Sequence, residues 1–318
     1  VDFKALVDGA MEIAVVPSFT DIGYRVRRAM FDWQPLSDLG MDGRVVAITG
    51  ATSGLGLAAA EMLAAMGASL RLLVRDRRRG EELASRLGSD TSVHVVDMSD
   101  LSSVRTAVGE LTAERLDVLI NNAGALLTER RTSVDGFEMT FATMVLGPFV
   151  LTSGLVPSLS RGPGEPPSRV INVASGGMYL EALHLDDLQM EKERFRGSVA
   201  YARAKRALVL LTQEWAHRLR EQRIVVHSMH PGWADTPGVE ASLPTFRKIV
   251  GPLLRTPQQG ADTMVWLAAS AEAAGSTGRF WHDRQPRPID RLSKTPVTPR
   301  ERELLWQTCE RLTAQDRA

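Results

Sequence analysis

The chain of 318 residues contains one cysteine, Cys309, so no disulfide can form within it. A lone thiol fits a reducing compartment, and a chain of this length buries enough apolar surface to fold without cross-links. Net charge is absent too: 38 Lys and Arg balance 38 Asp and Glu, which leaves no overall field to draw nucleic acid. Lysine is scarce, at five residues, so arginine carries most of the positive charge; with abundant Ala and Gly this reads as a compositional bias. No apolar run approaches the roughly 20 residues that span a bilayer. The N-terminus also lacks the basic start, apolar stretch and small-residue cleavage site of a secretory signal. His227 and His230 lie in or beside a strand without nearby Cys ligands; they read as structural, and no metal site is expected. These absences describe a soluble, cytoplasmic, globular protein.

What is present divides into a helical extension over residues 1–41, a main domain over 42–285 and a tail with a final helix over 286–318. In the extension Phe3, Leu6, Val7, Ala10, Met11 and Ala14 recur at helical spacing. Pro17 and Ser18 interrupt that helix, and Phe19, Ile22, Val26 and Met30 form the apolar face of a second, beside Arg25, Arg27 and Arg28. Such faces usually turn inward, which predicts packing on the main domain or on a partner subunit in a homo-oligomer. Apolar residues beside arginine also suit a helix lying in a membrane surface, so peripheral membrane contact through residues 1–40 is the other reading.

From Arg44 short β-rich runs alternate with helical stretches. Strands are predicted at Val45–Thr49, Leu70–Val74, Val93–Val96, Val118–Ile120, Val170–Val173, Ile224–His227 and around Arg279–Trp281, with helices such as Leu55–Met66 and Ala200–Arg220. This alternation predicts an α/β fold, a parallel sheet covered on both faces. The insert RGPGEPPS, Arg161–Ser168, is a loop leading into the fifth strand.

Residues 45–56 read VVAITGATSGLG, a strand, a glycine-rich turn and then the helical LAAAEMLAAMG. Glycine lets backbone turn sharply and approach a pyrophosphate, whose charge the helix N-terminus favours. The spacing of Gly50, Gly54 and Gly56 is G-x-x-x-G-x-G, and such glycines also occur in tight turns without a ligand. At the end of the second strand, LRLLVRD places Arg75 before Asp76. An arginine there accommodates a 2′-phosphate, which favours NADP(H); Asp76 facing the ribose would instead give NAD(H).

SVAYARAKRALVLL puts Tyr201 and Lys205 one helical turn apart, on one face. A free tyrosine of pKa about 10 is ionised about one part in a thousand near neutrality. A lysine cation ~4 Å away contributes roughly 4 kcal/mol at an effective dielectric near 20, enough to lower the phenol by up to ~3 pKa units. Such a phenol can give a proton to a carbonyl being reduced or take one from an alcohol being oxidised. NNAG at 121–124, Ser175 after VINVA, and Pro231–Gly232 with Thr236 all follow predicted strands, on the side where open α/β sheets bind ligands.

The ordered set TGATSGLG, NNAG, Ser175, Tyr201-x-x-x-Lys205 and PGWADT resembles the short-chain dehydrogenase/reductase superfamily over about residues 42–285. HPGWADTPGV and FWHDRQPRP are most similar to its retinol-dehydrogenase-like, dehydrogenase/reductase member 12-like branch. The resemblance implies one doubly wound Rossmann-type domain with a seven-stranded sheet. It implies that Gly50, Ser53, Gly54, Leu55 and Gly56 hold the pyrophosphate region, with Arg75 at the 2′-phosphate and Asp97 and Met98 near the adenine. Asn121 would support the central strand, and Asn122, Ala123 and Gly124 would line the cofactor. Ser175 would orient the carbonyl, Tyr201 transfer the proton, Lys205 bind the nicotinamide ribose, and Pro231, Gly232 and Thr236 close over the nicotinamide.

One position departs from the pattern. In MVLGPFVLT, Met144 stands where many relatives have a catalytic asparagine that helps hold a water between the lysine and solvent. A thioether is only a weak acceptor and cannot replace the amide. Two inserts, Gly176–Gly197 with Met178, Tyr179, Leu180, Leu183, Leu185 and Leu188, and Trp233–Arg255 with Val239, Leu243, Phe246, Ile249, Val250, Leu253 and Leu254, suit either an apolar pocket or a packed lid. The expectation is an NAD(P)-dependent oxidoreductase acting on a small lipophilic carbonyl or alcohol. The alternative, motivated by Met144, is a weakly catalytic NADP(H)-binding or scaffold protein.

Overall fold

The structure, a computed structural model, describes residues 3–88, 90–242, 247, 248 and 250–314. Eight strands form one sheet: β1 Val45–Thr49, β2 Ser69–Val74, β3 Thr91–Val95, β4 Val118–Asn121, β5 Ser168–Val173, β6 Ile224–His230, β7 Phe280–His282 and β8 Gln285–Arg287. Their order is 3-2-1-4-5-6-7-8. Strands β1 to β7 run parallel, with Val46 beside Leu70, Ile120 beside Ile171 and Val226 beside Val170. The central strands β4, β5 and β6 are buried at every residue, as helices on both faces demand. One face packs Leu119, Phe141, Leu211 and Trp215, and the other packs Ile48, Leu63, Leu72 and Trp266. The final helix, Pro299–Ala314, buries Leu305, Trp306 and Cys309 against the first of these clusters.

The seven parallel strands stand where the alternation predicts them, and an eighth is added. Strand β8 folds back antiparallel on β7 through Asp283 and Arg284, both at φ 53°. Two successive positive φ values make the turn that matches strand twist, normally marked by Asn-Gly or Asp-Gly. Here neither residue is glycine, and side-chain ion pairs hold both: Asp283 with Arg255 and Arg27, and Arg284 with Asp262.

The extension forms α1 Phe3–Ile13, α2 Val15–Phe19 and α3 Asp21–Met30. The break falls at Ala14 and Thr20, with Pro17 inside α2. The expected packing of the apolar faces on the main domain is overturned. On α1 the buried residues are Asp8 and Glu12, whereas Phe3, Leu6 and Ile13 are 74%, 62% and 85% exposed. On α3, Gly23, Tyr24 and Arg27 turn inward and Ile22 and Val26 outward; of the two predicted apolar faces only Phe19 is deeply buried. The cause is charge. Arg27, fully buried, donates to Asp8 at 2.6 Å, Glu12 at 2.7 Å and Asp283 at 2.7 Å, and Arg287 and Arg291 reach Asp8 and Glu12 as well. A buried guanidinium without carboxylates would cost several kcal/mol, more than the exposure of a few apolar side chains. Among the described residues no helix is long and apolar enough to cross a membrane.

Candidate active site

The site forms along the carboxyl ends of β1, β4, β5 and β6, at the point where the strand order reverses between β1 and β4. After β1 the chain turns through Gly50 (φ +69°) and Gly54 (φ +54°) into α4, Gly54–Ala65. A Cβ on Gly56 would lie 2.3 Å from the Gly50 carbonyl oxygen and 2.5 Å from Asn122 Nδ2, so only glycine permits this approach. Asn122 ties the turn to β4 by donating to the Thr49 carbonyl at 2.9 Å. The Thr49 hydroxyl accepts from the amides of Asn122 and Ala123, both at 2.9 Å. Thr236 packs over Gly54, and Leu55 reaches across to Gly260. The resulting cradle is small, neutral and lined by backbone.

At the end of β2 Arg75 is exposed. The adjacent Asp76 caps the next helix by accepting from the Arg79 amide at 3.1 Å, and Arg79 reaches over to donate to the Thr52 carbonyl at 3.1 Å. Beyond β3, Asp97 accepts from the Ser99 amide and hydroxyl at 2.9 and 2.7 Å, and Met98 is buried against Gly147. Asn121 is buried in a polar ladder across β4 and β5, donating to Thr152 at 3.0 Å and Asn172 at 2.8 Å, while Asn172 donates to Thr212 at 2.9 Å.

Ser175 leaves β5 and its hydroxyl accepts from the Gly177 amide at 3.2 Å. Tyr201 and Lys205 come from the helix Gly197–Arg218; Lys205 Nζ lies 5.6 Å from the Tyr201 ring centre. The Ser175 hydroxyl lies near enough to the Tyr201 phenol to act on its ionisation, so the three predicted side chains share one crevice. The electrostatics differ from expectation. Burial pushes the Tyr201 phenol above its ordinary value, opposed by the Ser175 hydroxyl, and the predicted depression by Lys205 is not seen. Burial also brings the lysine down to about 7. Its ammonium donates to the Val173 carbonyl at 2.7 Å, and a half-neutral amine is a weak source of field. Lysine and tyrosine are therefore both starved of water.

Met144 is fully buried in a π-helical turn, Ala142–Leu146. Such turns often accompany functional positions. A Cβ added at Gly124 would lie 3.0 Å from the Met144 sulfur and 3.5 Å from Lys205 Nζ, so the thioether stands directly beside the lysine's surroundings.

The inserts divide. Met178 and Tyr179 are core residues beside Phe19 and Phe280. Leu183, Leu185 and Leu188 are partly buried on the edge of the core, and Leu180 is exposed. In the second insert Leu254 is buried and Leu253 partly exposed, while Leu243, Phe246, Ile249 and the Val239 side chain lie outside the described residues.

Sequence reasoning missed three side chains at this site. His230 Nδ1 accepts from the Gly176 amide at 3.0 Å, next to Ser175. Phe19 packs edge-on against His230, with ring centres 4.4 Å apart. Arg255 is buried against Gly232, donating to the Pro231 carbonyl at 3.4 Å and to Asp283 at 2.6 and 2.9 Å. Only His230 had a local signal, its place at the carboxyl end of a strand.

A family model described as short chain dehydrogenase matches residues 44–245. The chain is 40% identical over 303 residues to dehydrogenase/reductase SDR family member 12 of Homo sapiens, covering 92% of this chain and 93% of that one. It is 36% identical over 266 residues to retinol dehydrogenase 14 of Mus musculus, covering 76% of this chain and 78% of that one. Among solved structures it is similar to the Pseudomonas aeruginosa RhlG/NADP active-site complex, with a TM-score of 0.63, 27% identity, and coverage of 78% of this chain and 96% of that one.

Proposed function

Because this chain belongs to the short-chain dehydrogenase/reductase family, we propose that it transfers hydride between NADP(H) and the carbonyl or alcohol carbon of a lipophilic substrate. The observation that carries this reading is the convergence of Ser175, Tyr201 and Lys205 in one crevice beside the glycine cradle. The turn fits a dinucleotide, since the positive φ of Gly50 and Gly54 and the close approach at Gly56 bring bare backbone to the N-terminus of α4, where a pyrophosphate would be held. Ser53, Leu55 and Gly124 would line the same trough, with Asn122 and Ala123 at its floor and Pro231, Gly232 and Thr236 over its far end. Arg75 would meet a 2′-phosphate, because Asp76 is committed to its helix cap, with Asp97 and Met98 beside the adenine. The bound nicotinamide supplies or accepts hydride.

The chain handles the oxygen and its proton. In reduction Tyr201 gives its phenolic proton to the carbonyl oxygen as the carbon gains hydride, leaving an alcohol and a phenolate that solvent reprotonates; oxidation runs the reverse. A raised phenol pKa keeps that proton in place until the oxygen becomes basic. Ser175 holds the reacting oxygen by a hydrogen bond, and Lys205 would grip the ribose. The half-buried Leu183, Leu185 and Leu188 support an apolar substrate. The test is a screen of lipophilic aldehydes, ketones and alcohols for change in nicotinamide absorbance, with Tyr201→Phe as control. Turnover that disappears with the hydroxyl is expected.

A second reading, a weakly catalytic NADP(H)-binding or scaffold protein, is favoured by Met144 alone. NADPH binding without Tyr201-dependent turnover across the panel would establish it. The outward apolar residues Phe3, Leu6, Ile13, Ile22 and Val26 support contact with a lipid surface. Co-sedimentation with anionic vesicles is expected; no pelleting together with a concentration-dependent dimer would assign those residues to a second copy of the chain.

A further inference from the structure

The helical extension is wired into the catalytic loops rather than resting on them. Three successive carbonyls, Ser18, Phe19 and Thr20, are each captured by the loop after β6: Ser18 and Thr20 accept from Arg255 at 2.9 and 3.2 Å, and Phe19 from the Trp233 amide at 2.7 Å. Arg255 is in turn gripped by Asp283, which also pairs with Arg27. The α2 backbone therefore has one seat. From that seat the Phe19 ring projects onto Gly176. A Cβ on Gly176 would stand 2.6 Å from Phe19 Cε2 and 2.8 Å from His230 Nε2, so this residue is pinched between the two rings.

The pinch bears on chemistry because Gly176 follows Ser175. Its amide donates to His230 Nδ1 at 3.0 Å, which requires the tautomer with the proton on Nε2. That nitrogen is buried with no hydrogen-bond partner among the described residues; the rings of Phe19 at 4.4 Å and His282 at 4.9 Å flank the imidazole. The ring is thus held by shape. Without Phe19 the imidazole would keep only the Gly176 hydrogen bond and the His282 ring as side-chain contacts among those described, and Gly176, the neighbour of Ser175, would lose one of its two walls.

We propose that Phe19 is a positioning residue for Ser175, acting through His230 and Gly176, so that residues 18–27 are part of the catalytic apparatus. The proposal rests on the dehydrogenase reading only for its kinetic arm. A displaced hydroxyl misplaces the reacting oxygen, and misplacement of about 1 Å can cost on the order of a hundredfold in rate. Phe19→Ala removes only the ring and keeps the backbone bond from the Trp233 amide that holds the loop carrying Gly232 and Thr236, so cofactor binding should be spared.

Phe19→Ala is compared with the parent chain by turnover of the best substrate in the panel, NADPH titration by fluorescence, and hydrogen exchange of the Gly176 amide by NMR. A fall in kcat of about tenfold to a hundredfold is expected, with NADPH Kd changed less than twofold and Gly176 exchange accelerated at least tenfold. Phe19→Leu, which keeps an apolar body in the same seat, should restore most of both readouts; Phe19→Val, which is too short to reach Gly176 as the ring does, serves as the test variant if Phe19→Ala does not fold. Ile22→Ala, on the outward face of α3, should change neither. Unaltered Gly176 exchange in folded Phe19→Ala, or in Phe19→Val in its place, overturns the proposal, as does a loss of kcat matched by an equal loss of NADPH affinity. If the parent shows no Tyr201-dependent turnover, the dehydrogenase reading has failed, and the Gly176 amide alone decides the positioning role.

Discussion

The two flanks of the sheet bury themselves by different means. On the β1–β3 side the packing is small and neutral: α4 buries Gly56, Ala58, Ala59, Ala60 and Leu63, and close approach of backbone makes the cradle. On the β6–β8 side the interior is ionic: Arg27, Arg255, Asp283, His230 and His282 are all at most 2% exposed. The first flank is specified by shape within about 20 residues of chain. The second depends on partners far apart in sequence, such as Arg27 with Asp283. Neutral packing tolerates a change in one partner; an ion pair out of water does not.

The largest break in this comparison is expected from Asp283→Ala, which strands Arg255 and takes one of three carboxylates from Arg27. A loss of about 3–5 kcal/mol follows for one partner of a buried ion network, read from urea denaturation; a loss below 1 kcal/mol would mean that water reaches the cluster. On the neutral flank the parallel change, Arg75→Ala, should leave stability alone. It should weaken NADPH by about ten- to a hundredfold, the worth of a charged hydrogen bond of 1.5–3 kcal/mol, and leave NADH unaffected. Equal weakening of both nucleotides would place the 2′-phosphate elsewhere.

Acid provides a finer separation. Burial, with the cations of Arg255 and Arg27 nearby, holds His230 and His282 well below their ordinary 6.5, although Asp283 opposes this. The unfolded chain therefore takes up these protons first, and stability present above about pH 6.5 is lost as the pH falls below it. The depressed carboxyls of Asp283, beside Arg255, and Asp8, beside Arg287, add a second loss below their ordinary 3.8. Denaturation midpoints should be lower at pH 5.5 than at 7.5, and His282→Gln should flatten that slope. The smallest effect is expected from Met144→Asn, a several-fold rise in turnover at unchanged NADPH affinity; no rise would show that Lys205 reaches solvent by a route not needing that amide.

The same contrast explains what was legible. Strands β1 to β7, the glycine turn and the meeting of Ser175, Tyr201 and Lys205 could be read because each rests on a local pattern: alternation, spacing, or one helical turn. The extension could not. Periodicity correctly marked two faces of α1 but assigned them backwards, since the cations that pull Asp8 and Glu12 inward, Arg287 and Arg291, lie about 280 residues away. Strand β8 was hidden because its turn is held by ion pairs in place of glycine. The Tyr201 pKa was misjudged because spacing reveals proximity to Lys205 but not how dry their common site is. Phe19 had no signature beyond being apolar.

The lattice around Arg27 also orders events in time. Its carboxylates are made first on the ribosome, Asp283 and the arginines at 287 and 291 last. Until the seventh and eighth strands have emerged, Arg27 has Asp8 and Glu12 but not Asp283, and those two carboxylates lack Arg287 and Arg291. A prematurely ended chain would lack these partners, so the ion network that docks the opening helices is complete only in a polypeptide translated through to its closing hairpin.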